Sequence, residues 1–188
     1  MVRGQSACLR KMRLADLSLI YKWWDDGALT KYYDRNPIFS REEIEAETRR
    51  NISAPDRLDF IIESRTGEPV GLIYLKSIDW INRNCELHAM VGERDFRHIY
   101  RGVHAEFLLL MYSFRQLNMH KVYARVIEFG SEQRRLVEAV GFVEEAVCKK
   151  FIYQEGKYWD LHIYAILDWE FEVFINSSRG RKYIAAFH

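Results

Sequence analysis

The sequence predicts an α+β fold, with a mixed central β-sheet of about six or seven strands and helices on both faces. Some segments show the two-residue alternation of strands, whereas others repeat apolar residues at helical spacing. In chain order they read β-α-α-β-β-β-α-β-α-β-β, which mixes hairpins with helical crossovers. The chain has 188 residues, 48% of them hydrophobic, which suits one domain with a well-formed core.

The N-terminal part is predicted to begin with a strand over residues 8–14, where polarity alternates. A helix follows Asp16, because apolar residues recur at helical spacing and give it one apolar face: Leu17, Ile20, Tyr21 and Trp24. A second helix begins at Ser40 and runs to about Asn51. Ser40 and Glu43 have the spacing of a capping box, in which each side chain binds the backbone amide of the other residue.

Three strands and a long helix are predicted next. Residues 58–63 and 70–78 flank a turn with Gly67 and Pro69, and they are expected to form a hairpin. Residues 85–92 form the following strand. A basic loop then leads into a helix that is apolar on much of its surface, so this helix is predicted to be buried.

The remaining elements are a strand over residues 120–129, a short helix and a hairpin. Gly141 is expected to end the helix, because glycine readily adopts the left-handed conformation just past a helix. Strands at 142–152 and 158–167 form the hairpin. We expect residues 1–169 to form a single domain and residues 170–188 to be a frayed, disordered C-terminal tail.

Composition excludes several classes of protein. The net charge of +1 gives no overall attraction to nucleic acid or to an anionic membrane. Cys8, Cys85 and Cys148 are far apart, so they form neither a disulfide framework nor a usual metal site. We therefore expect reduced thiols, no metal and a cytoplasmic location. No apolar run follows Arg3, so a signal peptide is not expected.

The loop between the third central strand and the long helix is basic. Arg97, His98 and Arg101 lie there, where backbone N–H groups and the positive end of the helix dipole also favour an anion. The sequence therefore indicates an anion site at this point.

Six segments in order resemble the GNAT N-acyltransferase family, and within it the RimJ/RimL-type branch. The resemblance runs from about Leu9 to Trp169. It is carried by LADLSLIYKWWDD, EPVGLIYLKSID, NRNCELHAMVGERDF, RHIYRG, LNMHKVYARVIEFGSEQRRLVEAVGF and GKYWDLHIYAIL. The RHIYRG segment corresponds to the pyrophosphate loop of the family, and the fifth segment is the most specific.

This resemblance implies acetyl-CoA, or another acyl-CoA, as co-substrate. The pantetheine arm would contact the backbone of Met90 and Val91. The residues implied to bind the cofactor elsewhere are Arg97, His98, Ile99, Tyr100, Arg101, Gly102, Val103 and Gly130. Three positions depart from the family pattern: Tyr100 replaces a loop glycine, Gly130 an asparagine, and Val137 a tyrosine that often protonates the departing thiolate.

Acyl transfer to an amine needs a group that accepts the proton of the amine. Glu86 lies in the strand that approaches the basic loop and is the candidate base. His88 is a second candidate, because alternate strand residues share a face. The acceptor pocket is expected to use aromatic residues and a carboxylate from the first helices: Trp24, Tyr32, Tyr33 and Asp34.

The sequence thus indicates an N-acetyltransferase that moves an acyl group from CoA to a primary amine by direct attack in a ternary complex. The acceptor is expected to be a small molecule such as an aminosugar, a polyamine or an amino-acid-derived metabolite, in a monomer or homodimer. Three alternatives remain open. They are a protein N-terminus as acceptor, an acyl-carrier protein as donor, and a catalytically inactive binding or regulatory protein, which Tyr100 and Val137 favour.

Overall fold

The computed structural model of the chain describes residues 2–4, 7–32, 40–93 and 99–185. Its centre is an eight-stranded sheet. The strands are β1 (Val2–Arg3), β2 (Cys8–Lys11), β3 (Leu58–Glu63), β4 (Pro69–Asp79), β5 (Asn84–Val91), β6 (Lys121–Ile127), β7 (Val143–Gln154) and β8 (Lys157–Leu167). Apart from the very short β1, each matches a predicted strand.

Among the described residues, four helices match predicted ones, whereas a short helix near the N-terminus and two helices at the C-terminal end were not predicted. The helices are α1 (Leu17–Trp24), α2 (Gly27–Thr30), α3 (Arg41–Ser53), α4 (Ile99–Arg115), α5 (Ser131–Ala139), α6 (Asp168–Asn176) and α7 (Ser178–Ala185). The spatial strand order is β1-β2-β3-β4-β5-β6-β8-β7. Within the described sheet, β5 and β6 are parallel and the other neighbouring strands are antiparallel. The mixed α+β class is therefore confirmed.

Apolar side chains pack on both faces of the sheet. Phe107 and Leu109 of α4 belong to the main core, together with residues such as Ile73 of β4. On the other face, Trp23 of α1 and Ile44 of α3 belong to a second core cluster. Helices thus cover both faces, because alternate strand residues point to opposite sides and both sides are apolar here.

Two local predictions are confirmed in atomic detail. Ser40 Oγ accepts a hydrogen bond from the amide of Glu43 at 3.1 Å, and the Glu43 carboxylate accepts one from the amide of Ser40 at 2.7 Å. Both interactions satisfy amides at the start of α3 that have no partner within the helix. Gly141 follows α5 with a φ of +99°, the left-handed conformation that glycine adopts at little cost.

Two predictions are wrong. The expected tail from residue 170 instead contains most of α6 and all of α7, and Phe171 is fully buried against Phe107 and Phe114. The buried tryptophan of α1 is Trp23, which is 1% exposed, whereas Trp24 is half-buried. In both cases, tertiary contacts rather than helical spacing alone select the buried side chain.

No helix among the described residues is long and apolar enough to cross a membrane.

Candidate active site

Strands β5 and β6 diverge near the middle of the sheet. Their register contains Asn84–Lys121, Cys85–Val122 and Glu86–Tyr123, and it ends there. Beyond that point, β5 stays paired with β4 as far as Val91, and β6 stays paired with β8 as far as Ile127. The two parallel strands, both described in full, therefore open into a wedge.

A cavity of about 250 Å³ lies at this wedge. Residues 87–91 of β5 and 124–126 of β6 form two of its walls, and α4, α5 and the region around α2 form the others. Much of the lining is aliphatic, with Leu87, Val126 and Leu136 among the residues. A narrow, largely apolar cleft with a few polar groups suits an extended organic ligand.

Several residues that the sequence predicts for the site line this cavity. They are His88, Met90, Val91, Gly102 and Tyr32. Gly102 is tightly placed, since a Cβ atom there would lie 3.3 Å from Leu136 Cδ2. Val137 also lines the cavity, so the position implied to carry the proton-donating tyrosine presents an aliphatic side chain.

Glu86, which is buried, and His88, which is half-buried, form a pair on β5. Glu86 is 3% exposed, and its Oε1 lies 2.5 Å from His88 Nε2. Lys76 Nζ on β4 lies 3.5 Å from the other carboxylate oxygen. The His88 ring stacks on that of Tyr74, with centroids 5.0 Å apart and planes 5° from parallel. These contacts hold the imidazole in one orientation at the cavity wall.

The electrostatic surroundings keep Glu86 ionised. Burial raises the pKa of its carboxyl group, but the hydrogen bond with His88 and the positive charges nearby outweigh burial, and the pKa lies below its ordinary value. The lining of the cavity includes His88 but not Glu86. The geometry therefore makes His88 the member of the pair that can meet a ligand and Glu86 the charge behind it.

Other predicted residues lie elsewhere or outside the described residues. Val103 is buried in the main core, and Gly130 is the N-cap residue of α5. Trp24 borders a smaller cavity between α1 and α3. Outside the described residues lie Tyr33, Asp34, Arg97 and His98, and also the side chains of Ile99, Tyr100 and Arg101. The role proposed for each of these residues stays a prediction.

Four polar or charged residues at the cavity were not predicted: Glu106 of α4, Arg125 of β6, and Glu132 and Gln133 of α5. A signal for Glu106 exists in the sequence. It is a charged residue in the apolar middle of the helix, four positions after Gly102 and so on the same helical face. The part of the chain that the structure describes holds no group of three or more His, Cys, Asp or Glu residues suited to bind a metal ion.

Similarity to known proteins agrees with this geometry. A family model described as an acetyltransferase (GNAT) domain matches residues 7–143. The spermidine N(1)-acetyltransferase of Vibrio cholerae is 27% identical over 155 residues, which are 81% of this chain and 88% of the relative. A Bacillus subtilis relative, described as the SPbeta prophage-derived uncharacterized N-acetyltransferase YokL, is 27% identical over 176 residues, 90% of this chain and 94% of the relative.

A solved structure extends the match to three dimensions. The crystal structure of spermidine N-acetyltransferase from Vibrio cholerae in complex with CoA and spermine has a TM-score of 0.84 and 25% identity. The match covers 90% of this chain and 99% of the other. Because the family model spans well over half of the sequence, the chain belongs to the GNAT acetyltransferase family and is an N-acetyltransferase.

Proposed function

We propose that the protein transfers an acetyl group from acetyl-CoA to a primary amine of a small molecule, with a polyamine as the preferred acceptor. The observation that carries this proposal is the cavity at the β5–β6 wedge, with the Glu86–His88 pair at its wall. The spermidine N-acetyltransferase of Vibrio cholerae named above supports the acceptor class, since its crystal structure holds CoA and spermine. A cytoplasmic location is part of the proposal.

The donor occupies the wedge in this proposal. The pantetheine arm enters between β5 and β6, where the register of the two strands ends. Pyrophosphate lies near the start of α4, where backbone N–H groups and the helix dipole favour an anion. Gly102 lies in the first turn of α4 and lines the cavity. One CoA molecule can therefore place its arm in the wedge and its pyrophosphate near the start of α4.

The reaction is a direct displacement at the thioester. The neutral amine nitrogen attacks the acetyl carbonyl carbon, so a C–N bond forms and the C–S bond breaks. The amine loses one proton, and the CoA thiolate gains one. His88 accepts the proton of the amine, and the ionised Glu86 stabilises the resulting imidazolium, since a buried carboxylate favours the charged form of its partner.

This assignment changes the role given to Glu86 by sequence reasoning. Glu86 lies behind His88 and is almost fully buried, so direct contact with the amine would require a path past the imidazole. Glu86 therefore acts through His88. Proton transfer through an imidazole oriented by a carboxylate is established chemistry in other enzymes.

Thiol release tests the proposal. The purified protein is mixed with acetyl-CoA and either spermidine, glucosamine or a peptide with a free N-terminus, and free CoA is measured with a thiol reagent. We expect amine-dependent release, fastest with spermidine, and only slow hydrolysis without an amine. CoA release with the peptide, but not with spermidine or glucosamine, would mean that the acceptor is a protein N-terminus and not a small molecule.

Calorimetric titration with CoA, read together with the thiol-release assay, separates the remaining alternatives. One-to-one binding without turnover on any amine would favour an inactive binding protein. Turnover with an acetylated acyl-carrier protein, but not with acetyl-CoA, would favour the carrier-protein donor. Either result contradicts the proposal.

A further inference from the structure

Helix α4 carries a carboxyl group into the apolar interior. Glu106 is 4% exposed, and its neighbours Ala105 and Phe107 are fully buried. Among the described residues, no hydrogen-bond partner lies within reach of its buried Oε2. Glu106 nevertheless lines the cavity at the β5–β6 wedge. A buried polar atom without a partner is costly, and its place on a cavity wall indicates a partner that comes from outside the chain.

The protonation state of Glu106 follows from this environment. Burial raises its pKa to about 8, and burial is the cause of that shift. His88 from β5, Arg125 from β6 and Glu132 from α5 line the same cavity. At neutral pH the carboxyl group is therefore largely protonated and offers one O–H donor.

Helix α5 contributes a second polar group with an unpartnered oxygen atom at the cavity wall. Gln133 lines the cavity, and its Oε1 is buried with no hydrogen-bond partner among the residues that the structure describes. Gly130 leaves room for this amide, because a Cβ atom there would lie 3.1 Å from Gln133 Oε1. An asparagine at 130, as the family resemblance implies, would crowd the place that the Gln133 side chain occupies.

These two groups have complementary hydrogen-bonding capacities. A protonated carboxyl group donates to a carbonyl oxygen, and a glutamine side-chain oxygen accepts from an N–H group. A secondary amide presents both a carbonyl oxygen and an N–H group. The pantetheine arm of CoA contains two secondary amides joined by short aliphatic segments, which match a cleft with aliphatic walls and isolated polar atoms.

We propose that Glu106 and Gln133 bind the amide groups of the pantetheine arm, with the Glu106 O–H donating to a carbonyl and Gln133 Oε1 accepting from an N–H. This inference rests on the proposed use of acyl-CoA. It adds side-chain ligands from α4 and α5 to the backbone contacts expected from β5. It also explains why a carboxyl group is retained in the middle of an apolar helix.

Ligand fragments allow a direct test. Affinities are measured by calorimetry at pH 7 for CoA, for 4′-phosphopantetheine, which lacks the nucleotide, and for 3′-phospho-ADP, which lacks the arm. The variants are Glu106→Leu, which removes the hydrogen bond, and Glu106→Gln, which keeps a neutral donor. Gln133→Leu and Gln133→Glu probe the second group, and thermal unfolding shows whether each variant is folded.

We expect Glu106→Leu and Gln133→Leu each to weaken CoA and 4′-phosphopantetheine roughly tenfold. The affinity for 3′-phospho-ADP should stay within about twofold of the wild-type value, and Glu106→Gln should retain most of the CoA affinity. Gln133→Glu keeps an oxygen acceptor for the N–H of the arm, so it should retain more of the affinity for CoA and 4′-phosphopantetheine than Gln133→Leu does.

Two results would overturn the inference while leaving the proposed function intact. One is unchanged CoA affinity in both leucine variants, which would indicate that water satisfies these groups. The other is an equal loss for the arm and the nucleotide fragments, which would indicate a general disturbance of the fold. If Glu106→Leu does not fold, the Gln133 variants at the partly exposed start of α5 decide the outcome. Wild-type protein that binds no CoA would overturn both proposals.

Discussion

His88 Nε2 and Glu86 Oε1 lie 2.5 Å apart on the same face of β5. The register of β5 with β6 ends at Glu86, so His88 lies where the two strands have separated. One member of the pair is therefore enclosed by the sheet, and the other borders the cavity. This placement lets a buried carboxylate influence a ligand that it does not touch.

Replacing Glu86 by glutamine removes the charge and keeps the side-chain size. We expect kcat with spermidine to fall by roughly 10² or more, because His88 loses the carboxylate that stabilises its protonated form. On the acid side, the pH at which kcat/KM reaches half of its maximum should move downward, because an imidazole without the adjacent carboxylate loses its proton at lower pH. CoA affinity should change by less than about twofold. Steady-state kinetics across pH and calorimetry measure these quantities.

Glu138→Gln is the matched control for this change, because Glu138 is exposed on α5, and its kinetics should equal those of the wild type. His88→Gln should lower kcat at least as far as Glu86→Gln does. Full turnover in His88→Gln together with loss in Glu86→Gln would instead make Glu86 the direct base.

Stability should fall as pH rises through the titration of Glu106. The ordinary pKa of 4.5 applies to the unfolded chain, and the folded value is about 8. Between these values the folded state binds more protons than the unfolded state, so unfolding becomes easier with rising pH, by up to about 1.4 kcal/mol per pH unit. The contribution of protonated Glu106 to the free energy of unfolding is fully present below pH 4.5 and is lost as the pH rises past 8.

Glu106→Gln removes this titration and leaves the other cavity groups, including His88, Arg125 and Glu132, in place. Urea unfolding at pH 5, 6, 7 and 8 should therefore show the wild type losing stability relative to Glu106→Gln. A constant difference between the two proteins across that range would mean that Glu106 ionises without cost and is not held neutral.

Gly71→Ala tests the close approach of β4 to β5. A Cβ atom at residue 71 would lie 2.3 Å from the carbonyl oxygen of Met90, so the strands would have to move apart. We expect a loss of about 2–4 kcal/mol in the free energy of unfolding. CoA binding should also weaken, because Met90 is part of the cavity wall. Chemical denaturation and calorimetry measure the two effects.

Gly27→Ala provides the comparison, since Gly27 begins α2 and no neighbouring atom of the described residues lies within 4 Å of a Cβ placed there. This change should be neutral or slightly stabilising, because alanine has the higher helix propensity. An equal change in stability for the two variants would show that β4 and β5 can move apart at Gly71 at little cost.

Phe171→Ala tests whether α6 belongs to the core. Phe171 is fully buried between aromatic residues of α4, so the change should cost about 3–5 kcal/mol of stability. Val173→Ala lies on the exposed side of the same helix and should change stability by less than about 0.5 kcal/mol. Thermal or urea unfolding of both variants gives the comparison. Similar stability of the two would support a tail that is independent of the core.

Much of the fold could be predicted because its signals are local. The Ser40–Glu43 capping box, the left-handed Gly141 and the turn at Gly67 between β3 and β4 each depend on residues close together in the chain. Phe171 could not be assigned in this way. Its burial depends on α4, more than fifty residues earlier in the sequence. A local sequence pattern does not show contacts between residues so far apart in the chain.

The candidate site divides in the same way. Sequence spacing indicated that Glu86 and His88 share a face, and the family resemblance pointed to Met90, Val91 and Gly102. Their roles stay predictions, although the structure brings four of the five to one cavity. The point at which β6 separates from β5 decides whether Glu86 or His88 can contact a ligand. The sequence pattern does not show where the two strands separate.

By itself, the sequence determined the α+β class, the order of the elements and the resemblance to acetyltransferases, because these follow from short-range periodicity, capping and motif order. Only the tertiary structure decided that Glu106 and Gln133, on different helices, line one cavity and that their buried oxygen atoms lack partners among the described residues. The physical reason is that burial and hydrogen-bond satisfaction are properties of packed neighbours, which come from distant parts of the chain.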